Sequence, residues 1–143
     1  MKKQGKRSRV RYQRINPHQP QVMHEIKVPI LNDEYFVYVI WGDLKKCIAY
    51  INKVFGEHFE EDEFKNKKGK CFYSFYKHDC PLAPVIWLKE SDEMVATLAH
   101  EAVHAMNETF EYIGETESSE VFAHSVGAIV RHVVKYKKHC TGK

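Results

Sequence analysis

The stretch Ser91 to Gly114, SDEMVATLAHEAVHAMNETFEYIG, reads as one uninterrupted helix. Ser91 offers a hydroxyl as N-cap, and Asp92 and Glu93 suit the positive end of the helix dipole. Met94 to Phe110 then continues without Gly or Pro until a stop near Gly114. Ala96, Ala99, Ala102 and Ala105 are the small side chains needed where a helix lies close to a sheet. In its middle stand His100, Glu101 and His104, an HExxH pattern. At 3.6 residues per turn, positions i and i+4 are about 40° apart, so both imidazoles leave one face and can share a zinc ion at about 2.0–2.1 Å. Glu101 points about 100° from His100, near enough to reach a water at the metal without ligating it, as a general base requires.

With nine His and fourteen Glu in the chain, shuffling would produce HExxH in roughly one chain in twenty. The weight of the pattern therefore comes from its place inside this helix, directly after a strand candidate. The competing reading makes both histidines exposed or hydrogen-bonded helix residues and Glu101 a solvated charge.

Upstream, Ile26, Val28 and Ile30 alternate with other residues, Asn32-Asp33 offers a turn, and Tyr35 to Trp41 is aromatic and β-branched, which predicts a hairpin. Asp43 can cap a helix in which Leu44, Cys47, Ile48, Ile51 and Val54-Phe55 recur at helical spacing, ending near Gly56. Glu57 to Lys70 is charged and aperiodic apart from Phe59 and Phe64, and is expected to be a mobile surface connection bordering a substrate cleft. Cys71 to Tyr76 and Pro84 to Leu88 are two further strands, with a turn around Asp79, Cys80 and Pro81. A last helix runs from about Ser119 to Lys138. The expectation is an α+β domain over residues 22–143, a small antiparallel or mixed sheet packed against the HExxH helix and the C-terminal helix.

A catalytic zinc has three protein ligands and keeps a fourth position for water. On the final helix Glu117, Glu120 and His124 share one face with the small residues Ala123 and Gly127. Glu120 is the expected third ligand, being inside the helix where Glu117 lies in its frayed start. His124 then stands beside the metal or donates to the oxyanion, and both His124 and Glu117 remain alternative ligands. A separate zinc site on Cys71, His78 and Cys80 lacks a second close pair.

His100, Glu101 and His104, followed by Glu120 in SSEVFAHSVG, resemble the zincin metallopeptidases, and within them the gluzincins, whose HExxH helix is followed by a helix donating Glu. The chain also looks like small metallopeptidase-like proteins encoded by bacteriophages and prophages. The resemblance covers Ser91 to about Val134, and its first motif is the more specific. The interval from His104 to Glu120 is shorter than in the large thermolysin-like gluzincins, and the Asn-Glu start of their second motif is missing. SprT-like proteases, the second choice, carry a His at a comparable distance where this chain has Glu120, and that resemblance would imply a protease acting near DNA through the basic tail.

The resemblance implies a zinc-dependent hydrolysis of peptide bonds with a peptide or protein as substrate, which the strand Val85 to Leu88 would bind as an added strand. The alternative class is a noncatalytic zinc-containing binding module, against which the presence of Glu101 argues.

Composition sets the frame. The 143 residues are 43% hydrophobic, enough for one domain with a sizeable core. There is neither a membrane-length apolar run nor a signal peptide, so a cytoplasmic protein is expected. Four dispersed cysteines point to reduced, buried thiols. Seven of the basic residues fall within Lys2 to Arg14 without an acidic one, and Pro17 and Pro20 follow. Residues 1–21 thus read as a basic, disordered tail capable of nucleic-acid contact.

Overall fold

The computed structural model describes residues 22–31, 34–74, 83–113 and 119–141. The basic tail, the Asn32-Asp33 turn, the turn around Cys80 together with His78, the helix stop at Gly114 and the alternative ligand Glu117 lie outside these residues.

Among the described residues four strands form a mixed sheet: β1 (Met23–Ile30), β2 (Tyr35–Gly42), β3 (Gly69–Ser74) and β4 (Ala83–Leu88), in the order β1-β2-β4-β3. The expected hairpin is present, with Ile26 opposite Val39 and Val28 opposite Val37. β4 runs parallel to β2 and antiparallel to β3, so it lies inside the sheet with a neighbour on each side. All six of its residues are buried, as expected of a strand covered on both faces.

Alternation along the strands sends Tyr38, Ile40, Val85 and Trp87 to one face and Val39, Trp41, Ile86 and Leu88 to the other. The first face is covered by α1 (Leu44–Phe55) through Cys47, Ile48, Ile51 and Phe55. Both sequence signals for α1 hold: the Asp43 carboxylate accepts from the Lys46 amide at 3.1 Å, and Gly56 closes the helix at φ 72°, a conformation that favours glycine. The second face is covered by α2 (Met94–Ile113) and α3 (Ser119–Thr141). No helix among the described residues is long and apolar enough to cross a membrane.

The segment after α1 corrects the expectation of a mobile connection. The Asn52 side chain bonds the Phe59 backbone twice, accepting from its amide at 2.9 Å and donating to its carbonyl at 3.0 Å. A 3₁₀ turn at Glu61–Glu63 then delivers Phe64 into the core, where it is fully buried and meets Trp87 edge-on at 4.9 Å. Phe59 stacks edge-on against both Phe64 and Phe72. Phe64→Ala is expected to cost about 3 kcal/mol, the ordinary penalty for deleting a buried ring, measured by urea unfolding. A loss under about 0.5 kcal/mol would restore the picture of a loose connection.

Candidate functional site

Helix α2 begins as the sequence predicts, with the Ser91 hydroxyl accepting from the Glu93 amide at 3.1 Å. Met94, Leu98, Ala102, Ala105, Met106, Thr109 and Phe110 are buried and fix its inward side. Of the four alanines expected beneath the helix, Ala102 and Ala105 lie there, whereas Ala96 is exposed. His100 and His104 leave the opposite side and are exposed. Their Nε2 atoms approach to 3.3 Å, with ring centroids 4.8 Å apart and planes at 77°. Two ligands of a tetrahedral ion with bonds of about 2.0–2.1 Å stand about 3.3–3.4 Å apart, so this separation fits a shared zinc. It also fits a hydrogen bond between one protonated and one bare ring nitrogen.

Glu101 is half-buried and turns toward β3. There Gly69 lets the strand backbone come close: a Cβ on Gly69 would lie 2.7 Å from Thr97 Cγ2, 3.2 Å from Glu101 Cγ and 3.3 Å from Leu88 Cδ2. Further along β3, the Tyr73 hydroxyl donates to the His104 carbonyl at 3.0 Å, tying the edge strand to the turn that carries the second histidine. Burial is the main cause that holds Tyr73 protonated, as a donor must be. Burial likewise pushes the Cys71 thiol, which donates to the Tyr73 oxygen, up to about 12, so Cys71 is no thiolate nucleophile near neutral pH. Gly69→Ala is expected to lower the melting temperature by roughly 4–10 °C, since overpacking costs about 1–3 kcal/mol. A shifted strand or helix should also displace the Glu101 side chain, which a Cβ there would meet at 3.2 Å. An unchanged melting temperature would show that the strand shifts freely.

A groove of about 520 Å³ starts at His100 and Glu101 and follows α2 toward its first turn. Lys67 and Lys68, just before β3, form the other wall, and Lys68 Nζ bonds Glu93 Oε1 at 2.7 Å. The segment that ends at Lys70 thus borders a cleft, as the sequence suggests, although it is anchored.

The second motif lies elsewhere. Glu120 and His124 face one another at 3.8 Å, with side chains 88% and 76% exposed. His124 lines a separate hollow with Pro29, Ile30 and Leu31 of the β1 side. The reason is how α3 is seated: Ser125, Ile129, Val133 and Tyr136 form its buried side. Phe122 meets Phe110 at 5.9 Å, while Lys137 reaches Met94 at the other end of α2. The two helices therefore run antiparallel, and Glu120 stands level with the end of α2. His104 lies six residues before Phe110, about 9 Å back along the axis. Gly127 admits no close approach to α2, since a Cβ there would meet only Arg131 of its own helix. The structure thus brings His100, Glu101 and His104 together but not Glu120 or His124 with them. Among the described residues, no group of three or more His, Cys, Asp or Glu is gathered to hold a metal ion.

Gly69, Tyr73, Lys67 and Lys68 were not among the sequence candidates. Alternation along β3 was the available signal, since Gly69, Cys71 and Tyr73 share the face turned to α2 once the strand is placed beside it. Compared with known proteins, the chain matches no family model, no curated protein and no solved structure.

Proposed function

We propose that the protein is a zinc-dependent peptidase of minimal zincin-like build, with His100 and His104 holding the ion and Glu101 as general base. The observation that carries this reading is the 3.3 Å pair of Nε2 atoms with Glu101 between them in sequence, beside β3, the last strand of the sheet among the described residues. Zinc, when bound, supplies a Lewis acid that polarises a carbonyl and makes water acidic enough to lose a proton near neutral pH. Glu101 accepts the proton of the attacking water and returns it to the leaving amine. Gly69 leaves space for the Glu101 side chain against the strand, and Tyr73 steadies the His104 turn.

The strand offered to a substrate differs from the one the sequence suggested. Val85 to Leu88 of β4 are bonded on both sides, whereas the outer edge of β3 pairs with no strand among the described residues. An extended peptide added to β3 would pass the histidine pair. The noncatalytic alternative draws on the two-donor site, which also suits a module that binds metal without turnover.

The test is incubation of zinc-loaded protein with a mixed peptide library and mass spectrometry of the products. Cleavage that stops with chelator and returns with zinc supports the peptidase. Stoichiometric zinc without any cleavage supports the binding module, and neither zinc nor cleavage removes both.

A further inference from the structure

The groove beside the histidine pair has a polar far end that the proposed chemistry does not use. It runs from His100 and Glu101 past Thr97 to Lys67, Lys68 and Glu93. Glu93 and His100 are two helical turns apart, about 10 Å, which an extended peptide spans in about three residues. This end is lined by two lysines and one carboxylate. Lys68 is matched by Glu93, but among the described residues Lys67 has no acidic partner. The neighbouring lysines do not share the wall, because Lys65 pairs with Asp62 and Lys70 lies over the Phe59 ring on the other side of the strand. The Lys68–Glu93 pair is exposed on both sides, at 71% and 63%, so a competing carboxylate can exchange onto Lys68.

Resting on the peptidase reading, we propose that Lys67 and Lys68 form a carboxylate-binding subsite that selects peptides carrying a negative charge about three residues from the bond presented to His100 and Glu101. The carboxylate comes from an Asp or Glu side chain or from the C-terminus of the peptide. Thr97 and Ala96 leave room along the helix for the side chains in between. A second cation beside an ion pair gives selectivity chiefly through charge, so it weakens as salt rises.

The probes are fluorescein-labelled ten-residue peptides that differ only in Glu, Gln or Lys at successive positions, each with a free or an amidated C-terminus. They are titrated by fluorescence anisotropy into full-length Glu101→Gln protein with zinc present, so that binding is read without cleavage. The expected result is that Glu peptides bind about fivefold tighter than Gln peptides, with Lys peptides weakest, and that 0.5 M salt removes the difference. Lys67→Ala with Lys68→Ala should abolish the preference, and Lys67→Glu should turn it toward Lys peptides. A gain that depends on the free C-terminus assigns the terminal carboxylate, and one that depends on Glu position assigns the side chain. No peptide binding, equal affinity for the three series, or a preference that survives the double substitution overturns the subsite. So does a single-stranded oligonucleotide that binds through the same lysines more tightly than any Glu peptide. If wild-type protein cleaves nothing while the charge preference stands, the peptidase reading fails and the subsite remains. If it cleaves all three series alike, the subsite fails alone.

Discussion

Glu101→Gln is expected to lower peptide hydrolysis by roughly 10²–10⁴-fold while zinc content and melting temperature stay at their wild-type values. The amide keeps the shape of the carboxylate, so its fit against Gly69 is undisturbed, where a Cβ would already come within 3.2 Å of Glu101 Cγ. What is lost is the proton acceptor. The carboxylate is half-buried at the strand, and among the described residues the ion pair that lines the groove is Lys68 with Glu93. The measurement is kcat/KM on the best substrate of the peptide library, beside zinc stoichiometry and a thermal melt. Wild-type kcat/KM in the variant would remove Glu101 as base and leave the histidine pair as a metal anchor only.

Helices were the most legible part of the chain because their signals are local. Asp43, Gly56 and Ser91 act within one turn of themselves, and the structure puts them where caps belong. Phe59 and Phe64 were illegible for the opposite reason. Two aromatic residues in a charged stretch show no period, and their burial depends on Asn52, Phe72 and Trp87, which are distant in sequence. Strand order was likewise hidden: β4 is apolar because it is central, yet sequence alone did not show that β3, with its polar termini, would hold the edge next to the histidines. The pair itself was readable from helical geometry alone. The third donor was not, since angular spacing says which residues of α3 share a face but not which face α2 will meet. Ala123 and Gly127 suggested the side of Glu120, and the larger apolar side of Ile129, Val133 and Tyr136 prevailed.

That outcome decides what a zinc titration should show. His100→Ala and His104→Ala are each expected to lower zinc affinity by more than about 100-fold, because loss of a direct ligand exceeds the 10–100-fold typical of residues that only orient one. Neither change touches the core: both side chains are exposed, and the buried side of α2 is made by Met94, Leu98, Ala102, Ala105 and Met106. The melting temperature of the metal-free protein should therefore stay unchanged, which separates loss of a ligand from loss of the fold. Titration against a competing chelator gives the affinities, and retention of zinc by either histidine variant would remove the site from α2. Glu120→Ala and His124→Ala then locate the third donor. In the arrangement described, both side chains are turned to solvent and to one another at 3.8 Å. A 100-fold loss in Glu120→Ala would mean that the first turns of α3 close on the histidine pair when zinc binds, and the same loss in His124→Ala would give a three-histidine site. Wild-type affinity in both variants assigns the donor to neither, and a matching loss in Glu117→Ala would then place it in the connection between α2 and α3.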